Sequence, residues 1–162
     1  MPTEIERKFL VRGELPDGDD TQIVQGYLSL DLERIVRVRI ESGRATLTIK
    51  GKPTGISRPE FEYPIPEQDA VELLKLAVGQ PIEKTRRRIA SGGSTWEVDI
   101  FDGANQGLVV AEIELQSESD EFERPEWLGD EVTDDPRYAN CKLIHAPFGK
   151  WGAGASSTIR LP

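Results

Sequence analysis

The chain is poor in the side chains that most often carry enzyme chemistry. Among 162 residues it has one cysteine, Cys141, and one histidine, His145. A single cysteine excludes an internal disulfide and a multi-cysteine metal site. A single histidine excludes a two-histidine metal motif such as H-E-x-x-H. Both residues read as structural. Aromatic residues make up only 7% of the chain, and Trp96, Trp127 and Trp151 read as packing anchors rather than a stacking platform for bases. No apolar run approaches the ~18 residues needed to span a bilayer. The first residues, Met1 to Arg7, lack the apolar stretch of a signal peptide. The expected address is therefore the cytoplasm, with no membrane partner. Positive charge is outnumbered: 20 Lys and Arg face 29 Asp and Glu, a formal net charge of −9. With a pI near 4.7, the long-range field repels polyanions and argues against a nucleic-acid partner. Carboxylates, lysine, arginine and tyrosine are left to do any chemistry.

The length suits one ordinary domain with a sizeable core, and no repeat or low-complexity linker interrupts it. Period-two alternation dominates, which is the signature of strands. It predicts eight, near 3–11, 22–30, 34–41, 45–51, 59–65, 82–89, 94–101 and 108–117. Turn-forming pairs such as Ser42-Gly43 and Gly92-Gly93 separate several of them. A helix is expected near 67–78, with Glu67 and Asp69 at its start, Val71, Leu74 and Val78 on one face, and Gly79 as its stop. Short helices are expected around 119–126 and 136–146, and Ala153 to Ser157 reads as frayed. The fold class is mainly β (α+β).

The polar face is the informative one. Glu4, Glu6 and Lys8 share a strand face, opposite Ile5, Phe9 and Val11. Arg37 and Arg39 oppose Val36, Val38 and Ile40, while Lys50 follows Thr46 and Thr48. Glu60 and Glu62 form a pair, Lys84, Arg86 and Arg88 form a row, and Glu97 with Asp99 and Glu112 with Glu114 complete the set. For any single strand, a water-facing side of an antiparallel sheet is the simpler account. Seven such strands are harder to explain that way. If the charged face points into a closed barrel, about six carboxylates and about six cations line it. That interior is costly unless the charges are paired, hydrated or occupied by a charged ligand. A highly phosphorylated ligand with divalent cations would match both signs, with cations on phosphate oxygens and carboxylates on the metal.

The segment Glu4-Ile5-Glu6-Arg7-Lys8 resembles the opening E-x-E-x-K signature of the CYTH superfamily, the triphosphate tunnel metalloenzymes. Further segments follow in family order: Gln25-Gly26-Tyr27-Leu28, Arg37-Val38-Arg39, Leu47-Thr48-Ile49-Lys50-Gly51, Glu60-Phe61-Glu62, Glu83-Lys84-Thr85-Arg86, Glu97-Val98-Asp99 and Glu112-Ile113-Glu114. Trp127-Leu128-Gly129, Glu131-Val132-Thr133, Tyr138 and Asn140 resemble the tail of the compact bacterial members. The resemblance implies a closed eight-stranded antiparallel barrel forming an open-ended tunnel, a single domain over 1–150 with a short tail at 151–162, and a Mg²⁺ or Mn²⁺ cofactor. It implies an inorganic triphosphatase acting on a small-molecule substrate.

The same resemblance assigns expected roles. Lys8, Arg37, Arg39, Lys50, Lys84 and Arg86 contact phosphate, and Arg88 extends that row. Glu112 and Glu114, at i and i+2, hold the substrate-bridging metal. Glu4 and Glu6 hold a second metal or activate the attacking water. Glu60 and Glu62 orient the cations or complete the metal shell. Asp99 is either a metal ligand or the partner of a neighbouring Arg. Tyr27 is either a tunnel hydroxyl bonded to phosphate or water, or an ordinary cross-strand aromatic. Lys142 is placed at one tunnel end, Lys52 in solvent, and Arg87 on the outer face. Other chemistries stay open: nucleoside or thiamine triphosphatase, class IV adenylyl cyclase, or a polyphosphate- or nucleotide-binding module without turnover. Monomer and homodimer also both stay open. Gly51-Lys52-Pro53-Thr54 is not a P-loop, since the upstream glycine and the Lys-Ser/Thr pair are missing.

Overall fold

A computed structural model describes residues 2–152; the expected tail from residue 153 onward, including Ala153 to Ser157, lies outside the described residues. Nine strands run Thr3–Val11 (β1), Asp19–Ser29 (β2), Arg34–Glu41 (β3), Arg44–Gly51 (β4), Ser57–Ile65 (β5), Ile82–Ser91 (β6), Ser94–Phe101 (β7), Val109–Glu114 (β8) and Leu128–Glu131 (β9). All pair antiparallel in the order β5-β4-β3-β2-β6-β7-β8-β1-β9. Pairing of Thr3–Ile5 with Ser57–Pro59 brings β5 back to β1 and closes an eight-stranded barrel. β1 is longer than this junction, and β9 takes the rest of that edge, with Phe9 opposite Glu131 and Val11 opposite Leu128.

Two tight hairpins follow from local backbone chemistry. Ser42 and Gly43 both have positive φ, 50° and 75°, as do Gly92 and Gly93, at 58° and 78°. Two successive positive-φ residues make the hairpin turn whose twist matches the flanking strands. These turns set Glu41 opposite Arg44 and Ser91 opposite Ser94.

The apolar faces point outward and need cover. One cluster on β1, β6, β7 and β8 contains Phe9, Val11, Ile89, Trp96, Val98 and Ile113. It is covered by the segment between β8 and β9, which brings Phe122 and Trp127 edge-on to Trp96, with ring centroids 5.6 and 5.7 Å away. The expected helix at 119–126 does not form. The segment is a largely irregular strap, with the Arg7 guanidinium lying over the Phe122 ring at 5.1 Å while it pairs with Glu131 of β9 at 2.6 and 2.8 Å. The second cover is helix α1, Glu67–Leu74, which lies on Leu28, Val38, Ile40 and Leu47. It passes over Gly26, where a Cβ would sit 2.8 Å from Ala77 and 3.0 Å from Leu74. The helix ends earlier than 78, and turns carry the chain to Gly79.

The third cluster lies at one end of the barrel. Leu10, Tyr27, Ile35, Ile82, Phe101 and Val110 continue the charged lumen rows at a spacing of two, so they face inward, and they pack against Tyr138 and Leu143. The expected helix at 136–146 is split into a single turn, Pro136–Tyr138, and a short helix α2, Asn140–Leu143. This segment fills part of that end, so the lumen is narrower there than an open-ended tunnel.

Candidate active site

Antiparallel pairing puts directly opposed residues on the same face. The register therefore carries the charge pattern from strand to strand. Lys8 stands opposite Glu112 and Glu6 opposite Glu114. Glu97 stands opposite Glu112, Arg86 opposite Asp99, Tyr27 opposite Arg37, and Lys50 opposite Glu60. The result is a lumen cavity of about 440 Å³ walled by seven carboxylates (Glu4, Glu6, Glu60, Glu62, Glu97, Glu112, Glu114) and seven cations (Lys8, Arg37, Arg39, Lys50, Arg58, Lys84, Arg86). Tyr27 also lines it, with Thr133 and Ala139, Asn140 and Cys141 of the C-terminal segment.

The carboxylates crowd at one side. Glu4, Glu6 and Glu114 each bring a carboxylate oxygen within 4.8 Å of the others. Burial, with Glu112 and Glu4 close by, holds the Glu6 carboxyl well above its ordinary range. Glu114 is also pushed up, by burial and by Glu97. Glu60 is pushed up to about 7 by burial and by Glu4. Glu4 goes the other way: burial opposes its charge, but Lys50 donates to both its oxygens at 3.0 Å and lowers it. Glu112 sits among cations. Burial is outweighed by Lys8 and Arg86, and its carboxyl is depressed. The cluster that converges on one point is therefore Glu4, Glu6 and Glu114, with Glu112 set beside Lys8 and Arg86. Excess negative charge on hard oxygen donors suits a Mg²⁺- or Mn²⁺-type ion.

The cations divide into two kinds. Lys50 is held by Glu4 and, at 3.4 Å, by Glu60. Arg86 is locked on Asp99 at 2.8 and 3.0 Å and on Glu97 at 3.2 Å. Lys84, buried, donates to Asp99 at 2.6 Å and Asn140 at 2.8 Å. Burial, with Arg86 and Arg39 adding to it against Asp99, draws its ammonium down to about 7. Arg37 and Arg39 are less compensated. Arg37 reaches Thr48 at 3.2 Å and Glu62 only at 3.8 Å, and its Nε is buried with no hydrogen-bond partner. Arg39 bonds Gln25 and, among the described residues, meets no carboxylate within 4 Å. Burial and the neighbouring Arg37 and Arg86 lower its guanidinium to about 10.

Two expected site residues fall outside the cavity wall. Asp99 is fully buried, and its two oxygens are occupied by Lys84 and Arg86. It is placed as their counter-ion, out of reach of a cavity metal. Arg88 pairs with Glu41 at 2.8 Å and Glu97 at 3.5 Å and does not line the cavity. Lys142 is exposed. Arg87 faces outward on Asp20 at 2.8 Å, and the Lys52 side chain is 74% exposed. Sequence reasoning put Glu97 on the charged face without a role, and left out Arg58 and Asn140 from the wall and Gln25 behind it. Parity could have found Arg58, two residues from Glu60.

A closed barrel whose lumen sets under-compensated arginines beside a carboxylate cluster has the charge layout for a polyanion next to a cation. Residues 2–140 match the CYTH domain model, and the chain belongs to the CYTH domain family. It is 46% identical over 151 residues to an inorganic triphosphatase of Acetivibrio thermocellus, covering 91% of this chain and 97% of that one. It is 38% identical over 150 residues to an inorganic triphosphatase of Nitrosomonas europaea, covering 87% and 96%. A crystal structure of an inorganic triphosphatase matches the fold with a TM-score of 0.64 at 35% identity, over 89% of this chain and 95% of that one. Among the described residues no helix is long and apolar enough to cross a membrane.

Proposed function

We propose that the chain hydrolyses inorganic triphosphate to diphosphate and phosphate inside the barrel, with a divalent cation, Mg²⁺ or Mn²⁺, as cofactor. The observation that carries this reading is the state of Arg37. Its Nε is buried without an acceptor, a costly arrangement that a phosphate oxygen would relieve. Arg39, Lys84 and Arg86 stand on the same wall, so several oxygens of one polyanion can be met together. Among the described residues the cavity has one aromatic side chain, Tyr27, and no platform for a base. That favours inorganic triphosphate over a nucleotide.

Glu4, Glu6 and Glu114 would hold the cation, which when bound neutralises phosphate oxygens and lowers the pKa of water. In the hydrolysis, a water oxygen bonds to a terminal phosphorus, the bond from that phosphorus to the bridging oxygen breaks, diphosphate leaves with the bridging oxygen, and a proton of the water passes to a carboxylate of the cluster. Within the carboxylate cluster, Glu6 has its carboxyl held well above its ordinary range and hydrogen-bonded to Glu112, and once ionised it accepts the proton of the attacking water, while Glu4 is held ionised by Lys50. Lys8, among Glu112 and Glu6, is kept protonated and contacts phosphate.

The test is phosphate release from tripolyphosphate, ATP and thiamine triphosphate, each with Mg²⁺, with Mn²⁺ and with chelator. Metal-dependent release from tripolyphosphate well above the other two is expected. Equal release from ATP moves the protein to nucleoside triphosphate chemistry, and silence on all three with saturable binding makes it a binding module.

A further inference from the structure

We propose that Gln25 and Asn140 form a neutral amide pair that positions Arg39 and Lys84 for a polyanion and leaves the charge of Arg39 uncancelled. The inference rests on the triphosphate reading of the same cavity.

Gln25 lies on β2, fully buried, opposite Arg39 on β3. Its Oε1 accepts from Arg39 Nε at 3.0 Å and Nη2 at 2.8 Å. That contact fixes the amide orientation, because guanidinium has only donors. The Gln25 Nε2 must then donate, and it does so to Tyr27 Oη at 3.0 Å and Asn140 Oδ1 at 3.2 Å. Asn140, the first residue of α2, turns the same oxygen to Lys84 Nζ at 2.8 Å. One chain of bonds thus runs from Arg39 through two amides to Lys84, with the C-terminal segment as its second anchor.

The neutrality of this pair is the informative feature. Elsewhere in the wall, cations are held by carboxylates: Lys50 by Glu4 and Glu60, Arg86 by Asp99 and Glu97, and Lys84 itself by Asp99, so that Arg39 is the cation held by an amide alone. A carboxylate at position 25 would have the same size and would hold Arg39 with a stronger, two-pronged contact. It would also spend the charge that a phosphate needs. An amide orients the fork equally well and leaves the full positive charge facing the cavity. Gln25 and Asn140 are positioning residues, acting on the ligand through Arg39 and Lys84.

The experiment compares Gln25→Glu with Gln25→Met, and adds Asn140→Asp. If the amide only supports structure, Gln25→Glu, which keeps the acceptor, is the milder change. If neutrality matters, the order reverses. Steady-state hydrolysis of tripolyphosphate, with thermal melts of each variant, reads both. We expect Gln25→Glu, which gains an ion pair with Arg39 but loses the donor to Asn140, to melt close to wild type yet raise KM about tenfold or more with kcat much less affected. Gln25→Met should raise KM less despite a lower melting temperature, and Asn140→Asp should also act on KM. A wild-type KM in Gln25→Glu, or a larger KM effect in Gln25→Met, overturns the proposal alone. A wild type that neither binds nor hydrolyses tripolyphosphate overturns the triphosphate reading, and this inference with it.

Discussion

Asp99→Asn is the sharpest perturbation of the lumen wall. Asp99 is wholly buried and is the shared counter-ion of two buried cations, Lys84 at 2.6 Å and Arg86 at 2.8 and 3.0 Å. All three contacts are donations to its oxygens, so the isosteric amide turns an NH₂ toward at least one existing donor. It also leaves Lys84 without a carboxylate. Removing one partner of a buried ion pair costs about 3–5 kcal/mol, because the charge left behind is uncompensated. For a chain of this size that is a fall in melting temperature of about 6–20 °C. Urea denaturation and calorimetry, without metal or phosphate, measure it. The pH dependence adds a check of sign. Burial opposes the Asp99 charge, but Lys84 and Arg86 outweigh it and hold the carboxyl below its ordinary range. Its contribution is therefore complete above the unfolded carboxyl pKa of about 3.9 and is lost as pH falls below that. Wild type and variant should converge in stability only in that acid window. A loss below about 1 kcal/mol at neutral pH, the size of a surface pair, would refute the account of Asp99 as a buried keystone of the wall.

Glu4→Gln and Glu6→Gln should impair turnover more than tripolyphosphate binding, whereas Arg37→Ala and Arg39→Ala should chiefly weaken binding, by about tenfold to a hundredfold; equal, negligible effects at all four positions would sink the assignment. Cation affinity should fall as pH drops, by up to tenfold per unit for each proton displaced, because neutral carboxyls must ionise to act as ligands. Mn²⁺ titration from about pH 5.5 to 8 reads this, with the raised Glu6 and Glu114 as its source; a flat profile contradicts it. Gly26→Ala should destabilise by about 1–3 kcal/mol through overpacking against Ala77 and Leu74, with little change in KM; an unchanged melting temperature would show that the turns after α1 yield freely.

The barrel strands were legible because their alternation is strict, and the lumen because its charges recur at that same period. The E-x-E-x-K strand shows both at once: Glu4, Glu6 and Lys8 all reach the cavity. Parity alone could not tell which inward carboxylates meet the cavity and which are spent on neighbours. Asp99 and Glu97 share a face, yet register sets Asp99 against Arg86 and leaves Glu97 on the wall. Strand β9 has no alternation to read: Leu128-Gly129-Asp130-Glu131 is held by the leftover edge of β1, a tertiary cause. The segment 119–126 carries helix-compatible acidic residues, but what it does is lay Phe122 and Trp127 on an outer face that exists only once the barrel is closed. Gln25 and Asn140 stayed hidden as site residues because amides do not titrate, and their role appears only in their partners.

The outward-facing apolar pads bear on how the barrel keeps its register. A one-residue slip of a strand exchanges its two faces. In a barrel filled with apolar side chains, such a slip exposes the core and penalises itself. Here it would draw Phe9, Trp96 and Val98 into the lumen and turn lysines and glutamates to water, a more conventional barrel. What opposes it is the cover on the outside. Phe122 and Trp127 on one flank, and Leu73 and Leu74 of α1 on another, find apolar partners only when the charges are inside. The strap and the helix thus act as a gauge that admits one alignment of the strands, and the polar lumen is kept in place by contacts made on its far side.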